Sequence, residues 1–152
     1  MRTLVAMLDP NEVETLRRAY DSQQLLDTNS NSFANLYPPF AAWQQTVGTL
    51  FFGSEPLSAR ERELCLVALL AQTPGPSLAT HVYWGLMEGL TIDQIMHAVG
   101  LSSCYGGLPV LTRGMFIIQK TLGVLKKVAA AGDCAPSAVM TALIAEFVGS
   151  SV

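Results

Sequence analysis

The chain has two histidines, and the first, His81, lies in the stretch QTPGPSLATHVYWGLMEGL, one turn past a Pro-Gly-Pro. On a helix, residues three, four and seven positions apart share a side, so Ser77, Trp84, Gly85 and Glu88 join His81 on one face. That face carries an imidazole, a hydroxyl, an indole and an acid. Imidazole is the side chain that both takes and gives protons near neutral pH, so the group reads as a candidate acid–base site. A satisfied core or interface histidine is the competing reading. The second histidine, His97 in DQIMHAVG, has no such company and reads as structural.

Glu63 is the acid best placed to serve His81. Its neighbour Glu61 stands three residues after Ser58 and is accounted for by a capping box, whereas Glu63 directly precedes the apolar stretch LCLVALLA. A partly desolvated acid there could orient a histidine, move a proton, or pair with an arginine such as Arg60. Arg113 is the one charged residue between Gln94 and Gln119. An arginine in so apolar a setting needs an anion, which could be Glu63, Glu88, an acid on a neighbouring subunit or a substrate carboxylate. Tyr105, in SSCYGGLP, stands where a helix ends at paired glycines, so its hydroxyl could reach a pocket or cap a carbonyl.

The elements that must position these residues are helices. Asp9-Pro10-Asn11-Glu12 opens one that should run to about Asp27, where TNSNSF breaks it. A second is expected from Tyr37 or Pro38 to Phe52, and a third begins at the Ser58 box; its unbroken apolar run, 64–71, predicts a central, buried helix. Gly75 and Pro76 suit the start of a fourth, ending at Gly89, and Thr91-Ile92-Asp93-Gln94 is a further capping box for a fifth that ends at Gly106-Gly107. Pro109 starts a long sixth helix to about Ala131, and Pro136 a seventh to about Phe147. No strand-like alternation or Asn-Gly hairpin occurs, so the fold class is all-α, with six to seven helices.

At 152 residues the chain reads as a single domain, 1–152, large enough to bury a core without metals or disulfides. It is 50% apolar and only 14% charged, which is oily for a small monomer and predicts subunit interfaces. Lys120, Lys126, Lys127, Arg113 and Glu88 interrupt the apolar runs, so no membrane span is expected. MRTLVAML is short for a signal peptide's apolar core and runs into a helix start, which points to the cytoplasm. Nine basic residues in no stripe, with a net charge of −3, give no footprint for nucleic acid. Cys65, Cys104 and Cys134 form no CxxC and no even set, so neither a disulfide framework nor a metal site is expected, and Cys65 reads as a small core residue.

LSARERELCLVALLAQ, a short gap, HVYWGLMEGLTIDQIMHAV and then CYGGLP together form an ordered pattern. It resembles the carboxymuconolactone decarboxylase and alkylhydroperoxidase D-like superfamily over about residues 57–119, with a family-like core to about 131. The specific parts are Arg62-Glu63-Leu64, His81, Glu88-Gly89-Leu90-Thr91 and Tyr105-Gly106-Gly107-Leu108-Pro109. The resemblance implies an αα-hairpin core and a homo-oligomer, trimer or hexamer. In the peroxidase branch a CxxC precedes the histidine; those two places hold Pro74 and Ser77 here, which leaves no local dithiol for peroxide chemistry.

What remains is the pair the decarboxylase branch would keep. The implied activity is a cofactor-free lyase acting on a small carboxylic acid or lactone, aromatic-catabolic or polyketide-derived, through an enolate. His81 would transfer the proton and Glu63 would orient it; Tyr105 or Ser77 would donate to the oxyanion, Trp84 would wall the pocket, and Arg113 or Arg60 would orient the acid. An isomerase or cyclase on the same site, or a non-catalytic oligomeric ligand binder, are the other expectations the pattern allows.

Overall fold

Six helices account for nearly all of the described chain, which in this computed structural model comprises residues 8–21, 42, 46 and 56–148. They are α1 (Pro10–Asp21), α2 (Ala59–Leu70), α3 (Pro76–Met87), α4 (Ile92–Gly106), α5 (Leu108–Ala131) and α6 (Pro136–Val148). The all-α expectation holds, and the starts and stops follow the punctuation. Apart from helical positions 42 and 46, the expected second helix lies outside the described residues, as does the first helix beyond Asp21.

The caps explain why these segments are helical where they are. Ser58 Oγ accepts from the Glu61 N–H while the Glu61 carboxylate accepts from the Ser58 N–H, closing the box that starts α2. Thr91 and Gln94 repeat it for α4. Between them, α3 ends on Gly89 at φ 88°, with the Leu90 N–H bonded to the Gly85 carbonyl at 2.8 Å and the Gly89 N–H to the Leu86 carbonyl at 3.3 Å. Only a glycine turns there without strain, and the tight reversal lays α4 back at once.

The centre of the bundle is α3, which packs against every other described helix. Leu78, Val82, Tyr83 and Leu86 of α3 meet Ile118, Leu122 and Leu125 of α5, Val99 of α4 and Leu143 of α6 in the buried core. The expectation that the LCLVALLA helix is the central one is therefore corrected. Helix α2 packs mainly on α3 and α4, and its outer side leaves Leu69 66% exposed. Cys65 is likewise exposed rather than core, because it shares that outer side with Leu69, one turn on.

A second correction concerns α5, which is long and apolar enough to cross a membrane by length and composition. Its leucines, valines and isoleucines, with Met115 and Phe116, keep the stretch apolar on either side of Arg113 and Lys120. Within the bundle, this helix supplies core residues to α3, α4 and α6.

Candidate functional site

Helices α2 and α3 lie side by side, and the site forms where their facing sides meet. The capping box turns Glu61 outward to its own helix start, and two residues later, some 200° around the helix, Glu63 points inward. Glu63 is only 5% exposed, and a buried carboxylate needs a partner. It has one. Oε2 of Glu63 lies 2.7 Å from Nδ1 of His81, whose side chain is 14% exposed.

This contact gives the histidine a direction. With Nδ1 held by the carboxylate, Nε2 is the nitrogen left for other work, and it has no hydrogen-bond partner among the described residues. One turn further along α3, the ring of Trp84 meets the imidazole edge to face, with centroids 4.9 Å apart and planes at 88°. The indole fixes the rotation of the imidazole that the carboxylate has already anchored at one end.

A second polar pair lies close by and joins α1 to the site. The Tyr20 hydroxyl donates to Oε1 of Glu88 at 3.0 Å, and its ring meets that of Tyr83 edge to face at 6.0 Å. Burial pushes the Tyr20 phenol well above its ordinary range, helped by the negative charge of Glu88 and, more weakly, of Glu63. Arg17 completes the docking of α1: its Nη2 donates to the Leu86 carbonyl at 2.8 Å and its Nε to the Met87 carbonyl at 3.2 Å. The helix end that carries Glu88 thus has its last carbonyls capped further from α1.

Of the residues singled out from the sequence, the fold brings Glu63, His81 and Trp84 together. Ser77 lies one turn before His81 and is exposed. Arg60 is also exposed and donates to Gln94 Oε1 on α4 at 2.9 Å, so it is tied to the neighbouring capping box and not to Glu63. Tyr105, at the last turn of α4, is 96% exposed. Arg113 is exposed on α5, and no ion pair forms between it and another described residue: Glu63 is taken by His81, and Glu88 bonds to Tyr20.

Tyr20 and Arg17 were not legible from the sequence, since one tyrosine and one arginine on a first helix carry no spacing relation to partners 68 to 70 positions away. His97 lines a separate shallow, apolar cleft between α2 and α4, together with Cys65, Asp93 and Leu101. Among the described residues, no three of His, Cys, Asp and Glu gather as metal ligands.

Comparison with known proteins gives one match. The model of the carboxymuconolactone decarboxylase family matches residues 38–120, which is more than half of the chain and begins ahead of the stretch that carries the resemblance in the sequence. No curated protein and no solved structure matches the chain.

Proposed function

Since the chain belongs to the carboxymuconolactone decarboxylase family, we propose that it is a cofactor-independent lyase that removes carbon dioxide from a small carboxylic acid or lactone, with His81 as the proton-transfer residue. The observation that carries this reading is the 2.7 Å contact between His81 Nδ1 and Glu63 Oε2, because it leaves Nε2 as the one working nitrogen.

The chemistry needs few parts. The bond between the carboxylate carbon and the substrate carbon breaks, its electron pair moves into a conjugated carbonyl or lactone as an enolate, and carbon dioxide leaves. Protonated Nε2 then gives its proton to that carbon, and the imidazole takes a new proton from water. The net consumption is one proton per carbon dioxide released. Glu63 holds the Nδ1–H throughout, which fixes the tautomer when the ring is neutral and steadies it when the ring is charged. Surroundings poor in solvating groups would favour loss of the carboxylate charge from the substrate.

The test is turnover of carboxymuconolactone, and of unsaturated polyketide-type acids, with carbon dioxide and product mass both measured. Folded His81→Ala and Glu63→Gln variants that keep the full wild-type rate would rule the assignment out. Product of unchanged mass would assign an isomerase or cyclase to the same site.

We also propose that the subunit assembles as a trimer or hexamer. The exposed Leu69 on α2, Leu101 and Tyr105 on α4, Leu108 and Phe116 on α5 and Ile144 on α6 support this, since so much outward apolar surface favours a partner. Light scattering coupled to gel filtration tests it, and a monomer at micromolar concentration would contradict it.

A further inference from the structure

Trp84 carries a polar atom that the fold does not use. Its Nε1 is sealed from solvent and has no hydrogen-bond partner among the described residues, although the rest of the side chain is only partly buried. Buried donors are nearly always paired, and leaving one unpaired is costly, so a protein keeps such a group where something else supplies the acceptor. This orphan lies in the ring that meets the His81 imidazole edge to face, centroid to centroid 4.9 Å.

The hydroxyls that the sequence offered for the same task are poorly placed. Tyr105 is 96% exposed, and Ser77 is exposed in the first turn of α3. A donor exposed to water competes with water for the oxygen it is meant to stabilise, whereas a dry one does not. The indole N–H is also a donor only, with no lone pair to repel an oxyanion.

We infer that the indole N–H of Trp84 is the hydrogen-bond donor for the carbonyl or lactone oxygen of the substrate, and that it holds this oxygen as negative charge grows on it. This rests on the lyase reading and extends it. One turn of α3 then supplies both ends of an enolate: Nε2 of His81 serves the carbon, and Nε1 of Trp84 serves the oxygen. A ligand that approaches by way of His81 displaces whatever covers the indole edge and leaves the donor satisfied.

The experiment is a nitrogen-15 spectrum of the indole N–H groups of the full chain, with the Trp84 resonance told from that of Trp43 by a Trp43→Phe variant. The probes are carboxymuconolactone and 4-oxopentanoate, each added to saturation. The Trp84 N–H proton is expected to move downfield and saturate with the probe, in the wild type and in His81→Ala alike. In the wild-type background, Trp84→Phe is expected to lower kcat on the order of 100-fold with a much smaller change in KM. A Trp84 resonance unmoved by either probe overturns the inference, as does an unchanged kcat in Trp84→Phe. The two readings fail separately: full turnover in His81→Ala would sink the lyase reading, whereas His81-dependent turnover with an unmoved indole would sink only this one.

Discussion

His81 Nδ1 and Glu63 Oε2 lie 2.7 Å apart across two packed helices, 18 positions apart in the chain. The pair is buried on the Glu63 side, so the two ways of removing the carboxylate part company. Glu63→Leu leaves Nδ1 without a partner and is expected to lower stability by about 1–3 kcal/mol. Glu63→Gln keeps an oxygen for the Nδ1–H and is expected to stay within about 1 kcal/mol of wild type, while catalysis falls on the order of 100-fold or more. Urea unfolding and initial rates on the same preparations separate the structural loss from the chemical one.

The packing that fixes α4 against α5 has a narrow tolerance. A Cβ on Gly114 would stand 2.5 Å from Cγ1 of Val99, a β-branched side chain with no room to rotate in a core where it is fully buried. Gly114→Ala is expected to cost about 1–3 kcal/mol. Val99→Ala in the same chain should recover part of that loss, a coupling that a double-mutant cycle in urea reads directly.

Tyr20 and Tyr83 make the fold sensitive to base. Both phenols are raised well above their ordinary value of 10.0, foremost by burial, with Glu88 adding to the effect on Tyr20 and Cys134 to that on Tyr83. Below pH about 10 the phenols are neutral in folded and unfolded chains alike, and their contribution is intact. Above it the unfolded chain loses protons that the folded chain retains, so stability is expected to fall as pH rises toward the folded values. Phenolate absorbance followed together with helical circular dichroism checks this: both tyrosines should ionise only as the helices melt, and Tyr20→Phe should soften the decline.

Arg17 contributes to the docking of α1, beside the buried Leu16, by donating to the last carbonyls of α3. Arg17→Met keeps much of the side chain's length and removes the donors. It is expected to lower stability by about 1 kcal/mol, since the side chain is a third exposed and water replaces part of what is lost. Amide hydrogen exchange should rise in α1 before it rises in α5.

Helix starts and stops were legible in the chain because Ser58, Thr91, Gly89 and Gly107 impose local geometry that needs no distant partner. Glu63 was legible for the same reason. Once the capping box accounts for Glu61, the next acid on an apolar helix stands unexplained, and the fold sets it against His81. What was hidden depends on which helix sides meet. Cys65 and Leu69 look like core in a continuous apolar run, yet both are exposed on α2, Cys65 at the open cleft towards α4. Arg60 looked like a partner for Glu63, but it is drawn to Gln94 by the arrival of α4. Tyr20 reaches Glu88 because α1 docks on the end of α3 and on α5, and no spacing rule links those residues.

The central claim is that His81 exchanges a proton with substrate carbon through Nε2 while Glu63 holds Nδ1. Its most direct test is proton exchange in deuterium oxide, read by NMR at the carbons beside the carbonyl of carboxymuconolactone and of its decarboxylated product. The wild type is expected to place solvent deuterium at one carbon with a single stereochemistry, and folded His81→Ala to lose that exchange on the order of 100-fold or more. Exchange at the wild-type rate in folded His81→Ala would contradict the account.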